Sequence, residues 1–155
     1  MKKLFVIAIT GAVLAIAACG NENNAGSASD AKKSGNGNPS YDSARGVGKF
    51  TKVDVGEKLD AKLADEGNKI YNVKCMSCHK LTSEKLVGPG WKGVTQRKKA
   101  EWIMNFATNT DEMLNKDPEA QAQLELCLVR MPNQNISDDE ARQVYEFMRK
   151  NDGVQ

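Results

Sequence analysis

The chain opens with an apolar run from Leu4 to Ala18 behind Lys2 and Lys3. That run is short for a bilayer span and has no stop-transfer flank, so it is expected to be an export signal. From Gly20 to about Arg45 the residues are Asn, Gly, Ser, Ala and scattered charge. Without a hydrophobic period they cannot offset the entropy of ordering, so the pattern predicts a flexible tether or spacer. Val47, Phe50, Val53 and Val55 then mark an irregular lead-in that packs on the folded part. A helical period starts near Leu59, with Leu63, Gly67, Ile70 and Tyr71 on one side, and runs straight into Cys75. Gly67 inside that helix costs about 1 kcal/mol relative to alanine, which points to close approach by another helix.

Leu81 to Val87 is expected to be a short loop, and Gly88-Pro89-Gly90-Trp91-Lys92-Gly93 is too rich in glycine and proline for a regular element. Lys99 to Thr108 carries Trp102, Ile103, Phe106 and Ala107 at helical spacing, and Asn109-Thr110-Asp111 breaks it. A short turn should hold Met113 and Leu114. Asp117-Pro118 is a favourable helix start, with Leu124, Cys127 and Leu128 expected on the buried side. After Met131-Pro132 and the polar Asn133-Gln134-Asn135 comes the best-marked helix. Ser137-Asp138-Asp139-Glu140 is a capping box, Ala141, Val144, Tyr145 and Met148 form a stripe beside Phe147, and Arg149-Lys150 close the end. No strand pattern persists, so the expected class is all-α.

With 155 residues, 40% of them hydrophobic and 6% aromatic, the chain suits one small domain. The apolar run ends Ile16-Ala17-Ala18-Cys19, which resembles a bacterial lipobox. Residues 1–18 would then be a lipoprotein signal peptide, Cys19 the lipidated mature N-terminus, 19–48 the tether and 49–155 the domain. The product would sit on the periplasmic side of a bacterial membrane, the lipid holding it there. Ordinary cleavage with Cys19 as a bystander is the competing reading. Removing residues 1–18 takes two of 22 basic side chains and leaves 20 against 20 acidic ones. With no basic field and no stacking platform, nucleic-acid binding is excluded.

The chemistry centres on Cys75-Met76-Ser77-Cys78-His79. Thiols at this spacing, followed at once by an imidazole, are the attachment pattern of c-type haem. Both sulfurs can add to the vinyl groups of one porphyrin, and the histidine then lies beneath the ring as an iron ligand. His79 is the single histidine in the chain. A zinc site would need further paired ligands, a thioredoxin-like motif would need a βαβ context, and a disulfide across two residues would be strained. Export fits the haem reading, because covalent attachment in bacteria takes place beyond the cytoplasmic membrane.

With no other histidine in the chain, the candidates for the second axial ligand are Met76, Met104, Met113, Met131 and Met148, an open or otherwise ligated position being the alternative. Met76 lies in the attachment loop, while Met104 and Met148 have the spacing of core filler. Met113, expected in a loop, is a competitor. Met131 is favoured, since its backbone is free of helix hydrogen bonds and Pro132 stiffens it.

From about Asp60 to Lys150 the chain resembles the class I c-type cytochromes. The likeness rests on Gly67-x-x-x-Tyr71, the haem motif, Gly88-Pro89, Met131-Pro132 and the terminal helix with Tyr145. It implies a cytochrome c-like fold around one covalent haem c. In that fold the Gly67 helix crosses the terminal helix near Tyr145, and the Pro89 carbonyl accepts a proton from His79. It also implies that Arg97 holds a haem propionate, although an exposed arginine in a basic run is the plainer reading. Cys127 departs from the pattern and reads as a small buried hydrophobe, with a disulfide-linked dimer as the minor alternative. Six-coordinate iron suits a monomeric electron carrier, not an enzyme, working between a quinol-oxidising complex and a terminal oxidase or a reductase such as nitrous-oxide reductase. Lys74, Lys80, Lys85 and Arg97-Lys98-Lys99 are candidates to steer an acidic partner. The rivals are a haem subunit fixed in a respiratory complex, and a ligand-binding haem enzyme or sensor with displaceable Met131.

Overall fold

Asp60 starts the first helix. Its carboxylate accepts from the Leu63 amide at 3.0 Å, and α1 runs over Ala61–Ile70. The computed structural model describes residues 41–155. The export signal 1–18, Cys19 and the tether up to residue 40 lie outside the described residues. Instead of ending, α1 widens into a single π-helical turn over Tyr71–Cys75, where the Met76 amide donates to the Tyr71 carbonyl at 2.9 Å. That wider turn changes the angle at which the Cys75 side chain leaves the helix axis.

The last helix, α6, spans Asp138–Asn151 and carries the expected box. The Glu140 amide donates to Ser137 Oγ at 3.2 Å, and the Ser137 amide donates to Glu140 Oε2 at 2.9 Å. Helices α1 and α6 cross at Gly67. A Cβ there would fall inside van der Waals contact of the Gln143 carbonyl oxygen and 2.8 Å from Phe147 Cβ. The crossing therefore lies at Gln143 and Phe147, on either side of Tyr145. Among the described residues four further helices complete the set: α2 Val94–Arg97, α3 Ala100–Thr108, α4 Thr110–Lys116 and α5 Pro118–Cys127. Among the described residues there is no strand beyond one isolated bridge between His79 and Lys85, so the class is all-α. None of these helices is long and apolar enough to cross a membrane.

Three local expectations are corrected. Met113 is not in a loop. Asn109 interrupts the helix for one residue only, α4 restarts at Thr110, and Met113 is fully buried with its sulfur 3.0 Å from the Val47 amide. Leu128 is not on a buried face. It takes the left-handed conformation that ends α5 (φ 62°) and is 84% exposed, and the buried residue of that helix is Ala120. The body also begins earlier than residue 49. Tyr41 donates to Asp117 Oδ2 at 2.5 Å, Asn105 donates to the Arg45 carbonyl at 2.9 Å, and the Phe50 amide donates to Asn105 Oδ1 at 2.9 Å. Residues 41–53 thus form an arm along α3 and α4.

Asp117 is the knot of this region. Fully buried, it caps α5 through the Glu119 and Ala120 amides and accepts from Tyr41 and from the Trp102 indole at 3.3 Å. Burial and the neighbouring Asp117 carboxylate push the Tyr41 hydroxyl well above the usual range, so it remains a donor. A second polar knot holds α6. Buried Glu146 accepts from Arg149 at 2.7 Å, Arg142 at 2.6 Å and the Asp60 amide at 2.8 Å. Arg149 in turn donates to the Gly56 and Glu57 carbonyls.

Candidate haem-binding site

The turn after the π-helical segment folds back on itself, so Cys78 and His79 amides both donate to the Cys75 carbonyl, at 3.1 and 2.9 Å. The chain from Lys80 to Lys92 then returns past the histidine. The Gly88 amide donates to the Cys78 carbonyl at 2.9 Å, and the Trp91 amide donates to that of Lys80 at 2.8 Å. This return brings the Pro89 carbonyl to 2.8 Å from His79 Nδ1. Gly88 permits it, since any Cβ at that position would collide with the imidazole. On the other side the Tyr71 hydroxyl donates to the His79 carbonyl at 2.8 Å, while the Trp91 ring lies 5.4 Å from the imidazole and 5.0 Å from the Tyr71 ring.

Backbone and ring of His79 are therefore both fixed. With Nδ1–H committed to Pro89, Nε2 keeps its lone pair for a ligand bond. Burial holds the imidazole below its usual pKa, against the opposing pull of the Pro89 bond, so it is neutral at pH 7. Burial also pushes the Cys75 thiol up to about 11, with Lys74 opposing and Cys78 adding to the shift.

Cys75, Cys78 and His79 lie on the wall of a cavity of about 360 Å³, within the roughly 300–1,000 Å³ range of cofactor pockets. Trp102, Ile103 and Phe106 of α3, Leu124 of α5 and Val144 of α6 give it an apolar lining. Met131 and Met148 both reach this wall, whereas Met104 and Met113 do not. Arg97 is on the rim, exposed, with Nη1 donating to the Lys92 carbonyl at 2.8 Å.

Two thiols, a neutral imidazole and a thioether facing one apolar cavity suit a covalently attached haem. No disulfide joins Cys75, Cys78 and Cys127, and among the described residues no cluster of His, Cys, Asp and Glu forms a cage for another metal.

A family profile described as Cytochrome c matches residues 64–152, more than half of the chain. The chain belongs to the cytochrome c family. As a member it carries one covalent haem c, with Cys75 and Cys78 as the attachment pair. Among solved structures, this cytochrome is similar to a cytochrome c from Rhodothermus marinus, at 30% identity and a TM-score of 0.65 over 68% of this chain and 90% of that one. An engineered form of the Rhodothermus marinus protein, bound to a carbene intermediate, aligns over the same shares at 30% identity with a TM-score of 0.62. Among curated proteins no sequence matches.

Sequence reasoning missed two features of the site. The Tyr71 hydroxyl anchors the His79 carbonyl, although Tyr71 was legible only as an apolar helix position. Cys127, expected as a small buried hydrophobe, is instead half-buried and stands in the cavity wall. The expected steering cations are mostly engaged within the chain: Lys74 with Glu140 at 2.9 Å, Lys80 with Glu84 at 2.7 Å, and Lys98 with Glu119. Lys85 donates to the Leu126 carbonyl at 2.9 Å.

Proposed function

We propose that this cytochrome is a single-electron carrier of a bacterial respiratory chain, with His79 and Met131 as axial ligands and a lipid on Cys19 holding it at the periplasmic face of a membrane. Haem c supplies a one-electron iron couple, and the surrounding residues determine how it is used. The observation that carries the reading is that His79 and Met131 stand in the walls of the same apolar cavity as the attachment cysteines. His79 offers Nε2 from a position fixed by Tyr71 and Pro89. Met131 lies in a stretch outside any helix, so its side chain can occupy the remaining position and keep other ligands away. Met148 also reaches the wall, but its backbone is fixed in α6, where its carbonyl accepts from the Asp152 amide at 3.0 Å. The apolar lining excludes water and, with thioether ligation, favours the reduced state. Arg97 on the rim is the candidate partner of a propionate. Electrons would arrive from a quinol-oxidising complex and leave to a terminal oxidase or a reductase such as nitrous-oxide reductase, through brief encounters of a monomer.

A second reading has one observation in its favour: the engineered Rhodothermus marinus cytochrome is bound to a carbene intermediate. In that reading Met131 yields to an incoming ligand, and the protein is a ligand-binding haem protein.

The test is optical spectroscopy of exported, haem-loaded protein. A carrier has a low-spin oxidised spectrum with a weak long-wavelength sulfur band, and its reduced spectrum does not change with carbon monoxide. Met131→Ala is expected to convert it to high spin while Met148→Ala leaves it low-spin. A low-spin Met131→Ala protein removes the ligand assignment, and carbon monoxide binding to the native protein favours the second reading. In the same cells Cys19→Ser is expected to move the haem protein from the membrane to the soluble fraction, and a membrane-bound variant would refute the lipid anchor.

A further inference from the structure

The chain has three tyrosines and two tryptophans. Tyr71, Trp91, Trp102 and Tyr145 are buried, and Tyr41 alone is half-buried and open to water. Its hydroxyl is also the one that donates to a carboxylate, at 2.5 Å to Asp117 Oδ2. Tyr71 donates to a peptide carbonyl, which is too weak a base to take up the proton, and among the described residues no carboxylate accepts from Tyr145. The same Asp117 oxygen accepts from the Trp102 indole at 3.3 Å, and Trp102 lines the haem cavity. A phenol at the surface and an indole at the cavity thus meet on one carboxylate oxygen. Oδ1 of Asp117 is held by the Glu119 and Ala120 amides, so Oδ2 is the oxygen left to exchange a proton.

A phenol that loses an electron becomes a strong acid, so it gives up the electron readily only where a base takes the proton in the same step. Asp117 is such a base. We propose that Tyr41, Asp117 and Trp102 form a second path for electrons out of the haem cavity, by which the reduced protein quenches small one-electron radicals that reach Tyr41 from water. Tyr41 gives one electron to the radical, which leaves as its anion, while the phenolic O–H bond breaks and the proton moves to Asp117 Oδ2. An electron from the ferrous iron then crosses through Trp102 to the Tyr41 oxygen, and the proton returns from Asp117. The balance is one electron lost by the iron and one gained by the radical, with the three residues restored. This path goes beyond exchange with a protein partner and needs no open position on the iron. Burial and the Asp117 carboxylate keep the Tyr41 hydroxyl protonated well past neutral pH, so its oxidation requires the proton transfer. Lys98 Nζ lies 4.3 Å from the centre of the Trp102 ring, and a positive charge there disfavours a second one on the indole. The electron deficit therefore does not rest on Trp102 but passes on to the iron, which is far easier to oxidise than either ring.

The experiment generates azide radicals by pulse radiolysis in a solution of the haem-loaded ferrous protein. Oxidation is followed at the haem band, and the tyrosyl radical by electron paramagnetic resonance after rapid freezing. The native protein is expected to show a phase of haem oxidation whose rate does not depend on protein concentration, because the electron moves within one molecule. Tyr41→Phe keeps the ring and removes the O–H bond, and is expected to reduce the amplitude of that phase by about tenfold or more. Trp102→Phe keeps the Tyr41–Asp117 pair and is expected to slow the phase by about tenfold or more, with a longer-lived tyrosyl signal. Should Trp102→Phe fail to hold haem, Tyr41→Phe decides alone. Ferricyanide, which takes its electron at the haem edge, should oxidise the native and Tyr41→Phe proteins at rates within about twofold of each other. The path is overturned by a native protein without the concentration-independent phase, by a Tyr41→Phe protein that retains it in full, or by a haem-loaded Trp102→Phe protein with the native rate. It is also overturned if Tyr41→Phe slows ferricyanide as much as it slows the radical reaction, since the fault then lies at the haem and not along the path.

Discussion

At the scale of single residues, the fold depends on one missing side chain more than on most that are present. Gly67 lets α1 lie directly on the Gln143 peptide of α6, and even a methyl group there has nowhere to go because the obstruction is backbone. Overpacking usually costs about 1–3 kcal/mol, and rigid obstruction belongs at the upper end or beyond. Gly67→Ala is therefore expected to destabilise the haem-loaded protein by about 3 kcal/mol or more, despite alanine's better helix propensity. Guanidinium unfolding followed at the haem band measures this, and a midpoint at or above the native value would mean that the helices do not meet as described. Gly67 was legible as a crossing point because a glycine at an internal apolar position needs a reason. Tyr71 was legible only in part, since nothing in the sequence says where its hydroxyl goes.

Among the elements, α6 has the fullest local signals, and its boundaries follow from the capping box. The pattern did not anticipate that this helix buries charge. Glu146 and Arg149 read as the polar positions of an amphipathic helix, yet both are buried, because the chain around Gly56–Asp60 covers that face. Such closure by a distant segment leaves no trace in the local period. Burial raises the Glu146 carboxyl, but the Asp60 amide and the two arginines outweigh it and hold the group below its usual value near 4.5. A folded carboxyl with a depressed pKa adds stability that is complete above the unfolded value and fades as pH drops through the folded one. Glu146→Gln leaves two arginines facing a neutral group, which is expected to cost about 3–5 kcal/mol at neutral pH. Denaturant midpoints of native and variant protein should then converge as pH falls below about 4.5. A gap that stays constant with pH would show that the loss is one of shape and not of charge. The end of α5 was misjudged for a related reason. The Leu124, Cys127 and Leu128 period is helical, but the helix stops at Cys127 and the left-handed turn throws Leu128 outward.

For the molecule as a whole, the haem motif and the all-α class were legible because covalent attachment imposes a local spacing and each helix carries its own period. The start of the domain was legible only in part: Val47, Phe50 and Val53 pack on the core as their pattern suggests, but the residues from Tyr41 to Gly46 carry no such signal. The arm is also held by polar bonds to partners 55 to 76 positions away: Tyr41 on Asp117, Arg45 and Phe50 on Asn105, and the Val47 amide on the Met113 sulfur. Asn105 and Asp117 are fully buried, so the arm supplies hydrogen bonds that water would otherwise have to supply in its place. Arm and cavity share α3. Asn105 faces the arm while Trp102, Ile103 and Phe106 line the cavity, so the arm braces the helix against the haem side. A chain beginning at residue 49 forfeits the Tyr41, Arg45 and Val47 bonds, and each buried group left unsatisfied costs about 1–3 kcal/mol. Compared with a chain beginning at residue 41, it is expected to unfold with a free energy lower by a few kcal/mol. Its cavity residues should also exchange amide hydrogens faster in α3 than in α6. Equal stability of the two chains would mean that the arm merely rests on α3, and the boundary at 49 read from the hydrophobic pattern would then stand.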